Sequence, residues 1–333
     1  MTRKSLIKQS KGAVMLFITN REPQGSIRFK KKRPYRFDFN KNSPANSVYY
    51  CERISKHEYR EIGSNELMAQ LKNSSAKQLL FFIHGFSNLP EPDIFPRAEK
   101  LQAYFDKKQP GLIEVVPLIW PCDNDKGIIQ DYWDDQKSAD SSDMSFARVF
   151  QKFMTWRDEA DTNDPCLKRI NILAHSMGNR VLRETLYAWD KYDLASGVPL
   201  LFRNTFLIAA DVVNETLEKE EKGHLITQSS RNVSVYYASD DLALRSSKIS
   251  NLKNKVASRR LGHTGPEDMD KVQSNVYAID CDNFNNQYDW PTGHAYFLDD
   301  KSGKIGKVFE HMFETIKSGR VRVEDPENRK HTL

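Results

Sequence analysis

Short apolar segments alternate with segments of helical periodicity along most of the chain. The apolar segments predict strands over residues 13–19, 47–55, 79–83, 115–120, 169–174, 205–210, 233–238 and 275–279. The periodic segments predict helices over residues 66–72, 98–105, 140–158, 179–189 and 304–317. Continuous apolar strands separated by helices are typical of a parallel sheet that is covered on both faces. The pattern therefore predicts an α/β fold with a mostly parallel, doubly wound sheet.

The same pattern suggests how the 333 residues divide. We expect residues 1–75 to form N-terminal strands and loops that extend the same sheet, and residues 76–317 to form the catalytic core. The polar residues 318–333 predict a loose C-terminal tail. The motifs described below fall between about residues 80 and 295, so they favour a single catalytic unit.

Charge and composition exclude several classes of protein. The formal net charge of +5 is mild for this length and gives no reason to expect specific nucleic-acid binding. The one dense basic run is Lys30, Lys31, Lys32 and Arg33, which indicates either a solvated loop or a contact with a partner protein or an anionic surface. No apolar segment is long enough to span a membrane.

Cysteine usage and the N-terminal residues bear on the compartment. The four cysteines show no C-x-x-C spacing. The first apolar segment is short and is followed by no cleavage site of a secretory signal, so it predicts a strand. These features favour reduced thiols in a cytoplasmic protein.

The most informative motif surrounds Ser176. A predicted strand ends at Ala174, the serine follows two residues later, and a predicted helix begins directly after Gly178. A nucleophile at such a tight strand–turn–helix elbow needs small residues two positions before and two after it, which Ala174 and Gly178 satisfy. The elbow would project the Ser176 hydroxyl at the positive end of the helix, where an oxyanion is stabilised.

An oxyanion needs two converging hydrogen-bond donors. The backbone N–H of Met177, directly after the candidate nucleophile, is the first candidate. The second is the N–H of Phe86, because Gly85 allows a sharp turn after the strand over residues 79–83. The alternative is that Gly85 forms an ordinary turn beside a structural histidine, His84.

A serine nucleophile needs a base, and the base needs an acid that orients it. Among the acids that follow predicted strands after Ser176 we favour Asp241, with Asp240 and Asp211 as alternatives. For the base we favour His294, because it follows the last predicted strand, with His263 as the alternative. This gives the chain order serine, aspartate, histidine.

At this point the chain resembles the α/β-hydrolase superfamily, and more narrowly a bacterial family of uncharacterised α/β hydrolases. The matching strings are Phe-Ile-Thr-Asn-Arg-Glu at 17–22, Ile-His-Gly-Phe at 83–86, Leu-Ile-Trp-Pro at 118–121, Leu-Ala-His-Ser-Met-Gly-Asn-Arg at 173–180, Asp-Leu-Ala-Leu at 241–244 and Gly-His-Ala-Tyr-Phe at 293–297, with the spaced Tyr132, Asp135 and Ala139. The resemblance implies an α/β-hydrolase fold with Ser176 as nucleophile, Asp241 as acid and His294 as base. It does not supply a substrate.

These observations predict a serine hydrolase that cleaves a carboxylic ester or thioester of a small acyl substrate through an acyl-enzyme at Ser176. Three alternatives remain open: an acyltransferase, a peptidase with the same triad, and an idle scaffold that binds a partner. No metal-ligand spacing, P-loop or dinucleotide motif is present in the sequence, so we expect neither a metal nor a cofactor. Residues 212–231 lie where such folds often insert a lid, but their charged centre favours a small or polar cap.

Overall fold

The computed structural model describes residues 14–159, 163–193, 197–244, 259–282, 284–289, 292–300 and 302–333. The strands in these residues form one sheet, in the order β11-β10-β9-β8-β7-β5-β6-β1-β3-β4-β2. They are β1 (Met15–Arg21), β2 (Pro34–Tyr35), β3 (Pro44–Ser55), β4 (Glu58–Glu61), β5 (Gln78–Ile83), β6 (Ile113–Ile119), β7 (Arg169–His175), β8 (Phe202–Ile208), β9 (Ser230–Tyr237), β10 (Val276–Asp280) and β11 (Lys330–Thr332).

Helices connect most of the parallel strands. They are α1 (Ser64–Asn73), α2 (Phe95–Lys108), α3 (Ile128–Ser141), α4 (Asp143–Asp158), α5 (Gly178–Asp193), α6 (His224–Gln228), α7 (Leu261–Thr264), α8 (Asn285–Tyr288) and α9 (Lys307–Ser318). A π-helical turn, Pro90–Ile94, directly precedes α2.

The two faces of the sheet carry two separate hydrophobic cores. In β5, Leu79, Phe81 and Ile83 point into one core together with α1, α4 and α5. Leu80 and Phe82 point into the other core, which contains α2 and α9. Because successive side chains of a strand alternate between faces, a strand that is apolar at every position needs helices on both sides.

The strand order reverses between β5 and β7. The chain passes from β5 outward to β6, then returns to add β7 on the other side of β5, and all these pairings are parallel. Ligands in open α/β sheets bind outside the carboxyl ends of the strands at such a reversal. The loops after β5 and β7 contain Phe86 and Ser176, so both candidates meet at this point.

The N-terminal strands extend the same sheet. β1 pairs with β6 in parallel, and β3, β4 and β2 continue the sheet in antiparallel pairs. The predicted first strand begins at residue 13, which lies outside the described residues together with residues 1–12. Within the described residues, no helix combines the length and the apolar character that crossing a membrane requires.

The C-terminal residues are not a loose tail. β11 pairs in parallel with β10, and the His331 ring stacks on His311 of α9 with the ring centroids 5.4 Å apart. The Arg329 guanidinium anchors the preceding turn by donating to the backbone carbonyl of Gln273 at 2.7 Å. The polar composition misled the prediction because a short edge strand is held by backbone hydrogen bonds rather than by apolar side chains.

The helix predicted over residues 140–158 is also wrong at its start. Residues 140 and 141 belong to α3, and α4 begins at Asp143 after a break at Ser142. The Ser142 hydroxyl donates to the Ser138 carbonyl at 2.8 Å, and the Asp143 carboxylate accepts the Met144 N–H at 2.6 Å. These short-range hydrogen bonds end one helix and begin the next.

Candidate active site

Ser176 occupies a strained elbow between β7 and α5. Its φ is +55°, a left-handed conformation that residues other than glycine rarely adopt. Neighbouring glycines make the elbow feasible. A Cβ on Gly178 would lie 2.6 Å from the His84 carbonyl oxygen, and one on Gly85 would lie 2.8 Å from the Ser176 Cβ. The Ser176 N–H donates to the Ile208 carbonyl at 2.9 Å, which fixes the turn against β8.

Asp241 and His294 are joined by a hydrogen bond. His294 Nδ1 lies 2.7 Å from Asp241 Oδ2, and the Asp241 side chain is fully buried. The other carboxylate oxygen accepts the Leu244 N–H at 3.0 Å. A carboxylate acceptor keeps the proton on Nδ1, which leaves Nε2 as the basic nitrogen of a neutral ring.

The pKa of His294 reflects two opposed effects. Burial disfavours the charged imidazolium, but the charge and hydrogen bond of Asp241 outweigh it, with smaller contributions from Asp289 and Asp211. The net result raises the pKa of His294 above its usual value. This is the direction that a general base oriented by a carboxylate requires.

The His294 loop is held by a carboxylate that the sequence analysis missed. Asp289 accepts the N–H groups of His294 at 3.1 Å and Ala295 at 2.9 Å, and the Thr292 hydroxyl at 2.6 Å. Although burial opposes ionisation, these hydrogen bonds lower the pKa of Asp289. An aspartate five residues before a loop histidine was the available signal.

His175 supports the same loop from beneath. The side chain is buried, and its Nε2–H donates to the His294 carbonyl at 3.2 Å. The ring centroids of His175 and His294 are 4.9 Å apart. Burial lowers the pKa of His175 well below its usual value, so the ring is neutral at ordinary pH.

The alternative acids have other partners. Asp211 forms an ion pair with Arg260 at 3.2 Å and accepts the Tyr132 hydroxyl at 2.8 Å. Asp240 accepts a hydrogen bond from the Asn286 side-chain amide. The structure therefore brings Asp241, rather than either neighbour in the sequence analysis, to a histidine.

The alternative base, His263, lies in α7. Its backbone N–H donates to the Arg260 carbonyl at 2.9 Å, and the residue does not line the cavity beside Ser176.

The two candidate oxyanion donors belong to the loops that meet at the elbow. Met177 is fully buried directly after Ser176, and Phe86 lines the adjacent cavity. Among the residues that the structure describes, none accepts a hydrogen bond from either backbone N–H. The next residue, Ser87, donates its N–H to Asp135 Oδ2 at 2.9 Å. Asp135, a second carboxylate whose role the sequence analysis missed, therefore fixes the course of this loop.

A cavity of about 420 Å³ opens beside Ser176 and His294. Its apolar walls come from Phe86, Ile128, Leu242 and Leu244 among others. Residues 212–231, all of which the structure describes, do not line it. They form turns and α6, which packs against α5 and β9, so the proposed lid position is occupied by a compact segment away from the cavity.

Comparison with protein families identifies this arrangement. Residues 60–305 match the family described as alpha/beta hydrolase of unknown function (DUF900). The chain belongs to this family. The α/β-hydrolase fold that the sequence predicted, with its mostly parallel sheet, is thereby confirmed. A comparison with curated proteins gave no match.

Two solved structures show a distant likeness to this α/β hydrolase. They are phospholipase PlaB from Legionella pneumophila, alone and in complex with thio-NAD. Both are 14% identical over 61% of this chain, with TM-scores of 0.26 and 0.25 respectively. The aligned region spans 39% and 38% of the phospholipase chains, so this chain corresponds to about two fifths of their length. At these scores the likeness does not extend to activity or substrate.

One group of carboxylates in this hydrolase could hold a cation. Oxygens of Asp123, Asp125 and Asp131, at the start of α3 and in the loop before it, lie within 4.8 Å of one another. Burial is the main cause that raises the pKa of Asp123, and the charges of Asp125 and Asp131 add to it. None of the three residues lines the cavity beside Ser176.

The basic run at residues 30–33 is only partly available to a partner. Arg33 is ion-paired with Glu61 of β4 and donates to the Ser26 carbonyl. Lys30, Lys31 and Lys32 are exposed. A contact with a partner protein or an anionic surface therefore stays a prediction that concerns the three lysines.

Proposed function

We propose that this protein is a serine hydrolase that cleaves a carboxylic ester or thioester through an acyl-enzyme at Ser176. One observation carries the proposal: the hydrogen-bonded Asp241–His294 pair lines or adjoins the same cavity as Ser176. The strained φ of Ser176 supports it, because strain in a buried elbow is common where a nucleophile is held.

In the first half of the proposed reaction, the Ser176 hydroxyl attacks the carbonyl carbon of the substrate. His294 Nε2 takes the hydroxyl proton, and Asp241 stabilises the imidazolium that results. The N–H groups of Phe86 and Met177 would donate to the negative oxygen of the tetrahedral intermediate. The intermediate collapses to the acyl-enzyme, and His294 gives its proton to the departing alcohol or thiol.

In the second half, a water molecule attacks the acyl-enzyme. His294 takes a proton from the water, and a second tetrahedral intermediate forms on the same two donors. Collapse releases the carboxylic acid and returns the proton from His294 to Ser176. An acyltransferase or a peptidase would share the first half, so product analysis with and without an added alcohol or amine distinguishes these activities.

The experiment that tests the proposal is labelling with a fluorophosphonate, which reacts with activated serines. We expect one labelled peptide containing Ser176, and no label on that peptide in Ser176→Ala. In the same assay His294→Ala should lose labelling and ester hydrolysis, whereas His263→Ala, the matched control, should retain both.

Two results would contradict the proposal. One is a folded wild-type protein, shown by circular dichroism, that no probe labels and that cleaves no ester in a panel. This result would favour a scaffold without catalytic activity. The other is His294→Ala with wild-type ester hydrolysis, which would remove the base from the mechanism.

A further inference from the structure

The cavity beside Ser176 contains a cationic side chain with no anionic partner. Arg97, in the first turn of α2, lines the cavity with its neighbour Asn88. Its guanidinium donates one hydrogen bond, to the Asn88 side-chain oxygen. Within the described residues, no carboxylate oxygen lies within 4.0 Å of this guanidinium. Most of its five N–H donors are therefore available to a ligand.

The carboxylates around the cavity do not supply the missing partner. Asp211, Asp241 and Asp289 each accept hydrogen bonds or an ion pair from other groups, as described above. Asp93 and Asp289 act on Arg97 only at longer range, and the Asp93 carboxylate accepts the Leu89 N–H at 2.9 Å. None of these groups occupies the guanidinium.

Other arginines near the elbow are paired. Arg180, at the start of α5, forms a bidentate pair with Asp140, and Arg260 pairs with Asp211. Burial is the main effect on the Arg97 pKa and lowers it, so its charge is partly removed from water without a compensating anion. An arginine in such a position matches the planar, two-oxygen geometry of a carboxylate or phosphate group.

We infer that Arg97 binds a carboxylate or phosphate group of the substrate, and that the substrate class is therefore an anionic ester or thioester. The inference rests on the proposed function at Ser176. The apolar walls at Phe86, Leu242 and Leu244 would receive the acyl chain, while Arg97 fixes the charged end. One guanidinium among apolar walls would thus select for charge and orient the carbonyl toward Ser176.

The first test compares three esters that differ mainly in where the charge lies. 4-Nitrophenyl hexanoate is neutral, mono-4-nitrophenyl adipate carries a carboxylate at the end of an acyl chain of the same length, and 4-carboxyphenyl hexanoate carries it on the leaving group. We expect wild type to prefer one of the anionic esters. In Arg97→Gln the ratio of its kcat/KM to that of the neutral ester should fall by about ten- to hundredfold, the usual effect of losing a hydrogen bond between charged groups.

Two further variants complete the comparison. Arg97→Lys keeps the charge without the fork and should give an intermediate ratio. Lys100→Gln removes a charge from the same helix outside the cavity, where Lys100 pairs with Asp299 on the surface, and should leave the ratio unchanged. An Arg97→Gln variant that slows all three esters equally would overturn the inference, as would a wild type without preference for either anionic ester.

A second measurement needs no catalysis and separates failure of this inference from failure of the proposed function. Acetate and inorganic phosphate, tested separately at matched ionic strength, should raise the Tm of wild type by binding at Arg97, and the more effective anion indicates the charged group. Arg97→Gln should lose this shift, and Lys100→Gln should keep it. Equal shifts in wild type and Arg97→Gln, or no shift in wild type, would refute an anion site even if no ester is cleaved.

Discussion

Two loops at the carboxyl edge of the sheet each provide a buried aspartate to the same region, yet they do different things. The loop after β8 carries Asp211, whose side chain pairs with Arg260. The loop after β9 carries Asp241, which pairs with His294. Both carboxylates are almost completely removed from water. The difference lies in the partner, because a histidine gains and loses a proton near neutral pH and an arginine does not.

This difference separates a mechanical role from a chemical one. Through Arg260 and Tyr132, Asp211 ties together β8, α3 and the residue before α7, so it holds the cavity wall. Asp241 instead orients a ring whose charge would change during the proposed reaction. Sequence position made the two acids equivalent candidates, and only their partners distinguish them.

The largest expected effect comes from breaking the pair at His294. Asp241→Asn should lower kcat by about a hundred- to ten-thousandfold, because the amide no longer holds the productive tautomer or stabilises the imidazolium. Since the substitution conserves shape, the Tm should change little. Ester kinetics and thermal unfolding of the same preparation test this, and a kcat within tenfold of wild type would remove Asp241 from the mechanism.

The next effect sharpens the comparison from the other side. Asp211→Asn leaves the Arg260 charge buried without its partner, so the free energy of unfolding should fall by about 3–5 kcal/mol. Urea denaturation measures this fall. Asp140→Asn is the matched control, because the Asp140–Arg180 pair is partly exposed and should contribute at most about 1 kcal/mol. Normal stability with a hundredfold lower kcat would instead make Asp211 the catalytic acid.

The smallest expected effect is a change in the pH profile. His294 must be neutral to act as a base, so kcat/KM should be lost as the pH falls through its raised pKa, with the midpoint above 6.5. In Asp241→Asn the residual activity should show a midpoint about one unit or more lower, because the carboxylate that raised the pKa is gone. Asp211→Asn should move the midpoint much less. Equal shifts in both variants would mean that the two carboxylates act on His294 alike.

The central strands were predictable because their apolar residues are continuous. β5 to β10 bury side chains on both faces, which leaves a signal that a single sequence carries. The strands β2, β4 and β11 have two, four and three residues and were missed, since backbone pairing holds them. The helix α3 was missed as an element because its exposed residues obscure the buried face at Tyr132, Asp135 and Ala139.

The elbow at Ser176 was predictable because its steric requirements lie within five residues of sequence. The choice among Asp211, Asp240 and Asp241 was not settled locally, because each follows a strand. The contact with His294 spans 53 residues and depends on how two loops meet. Asp289 and His175 escaped notice for the same reason, as each acts on the His294 loop through hydrogen bonds to its backbone.

The three residues of β11 also have a consequence for how this protein behaves at high concentration. An uncovered strand edge offers unpaired N–H and C=O groups to a neighbouring molecule, and β10 would be such an edge without β11. β11 itself is short and begins with an exposed lysine, which makes it a poor template for further pairing. Shortened versions that end before residue 330 should therefore self-associate and precipitate more readily than the full chain.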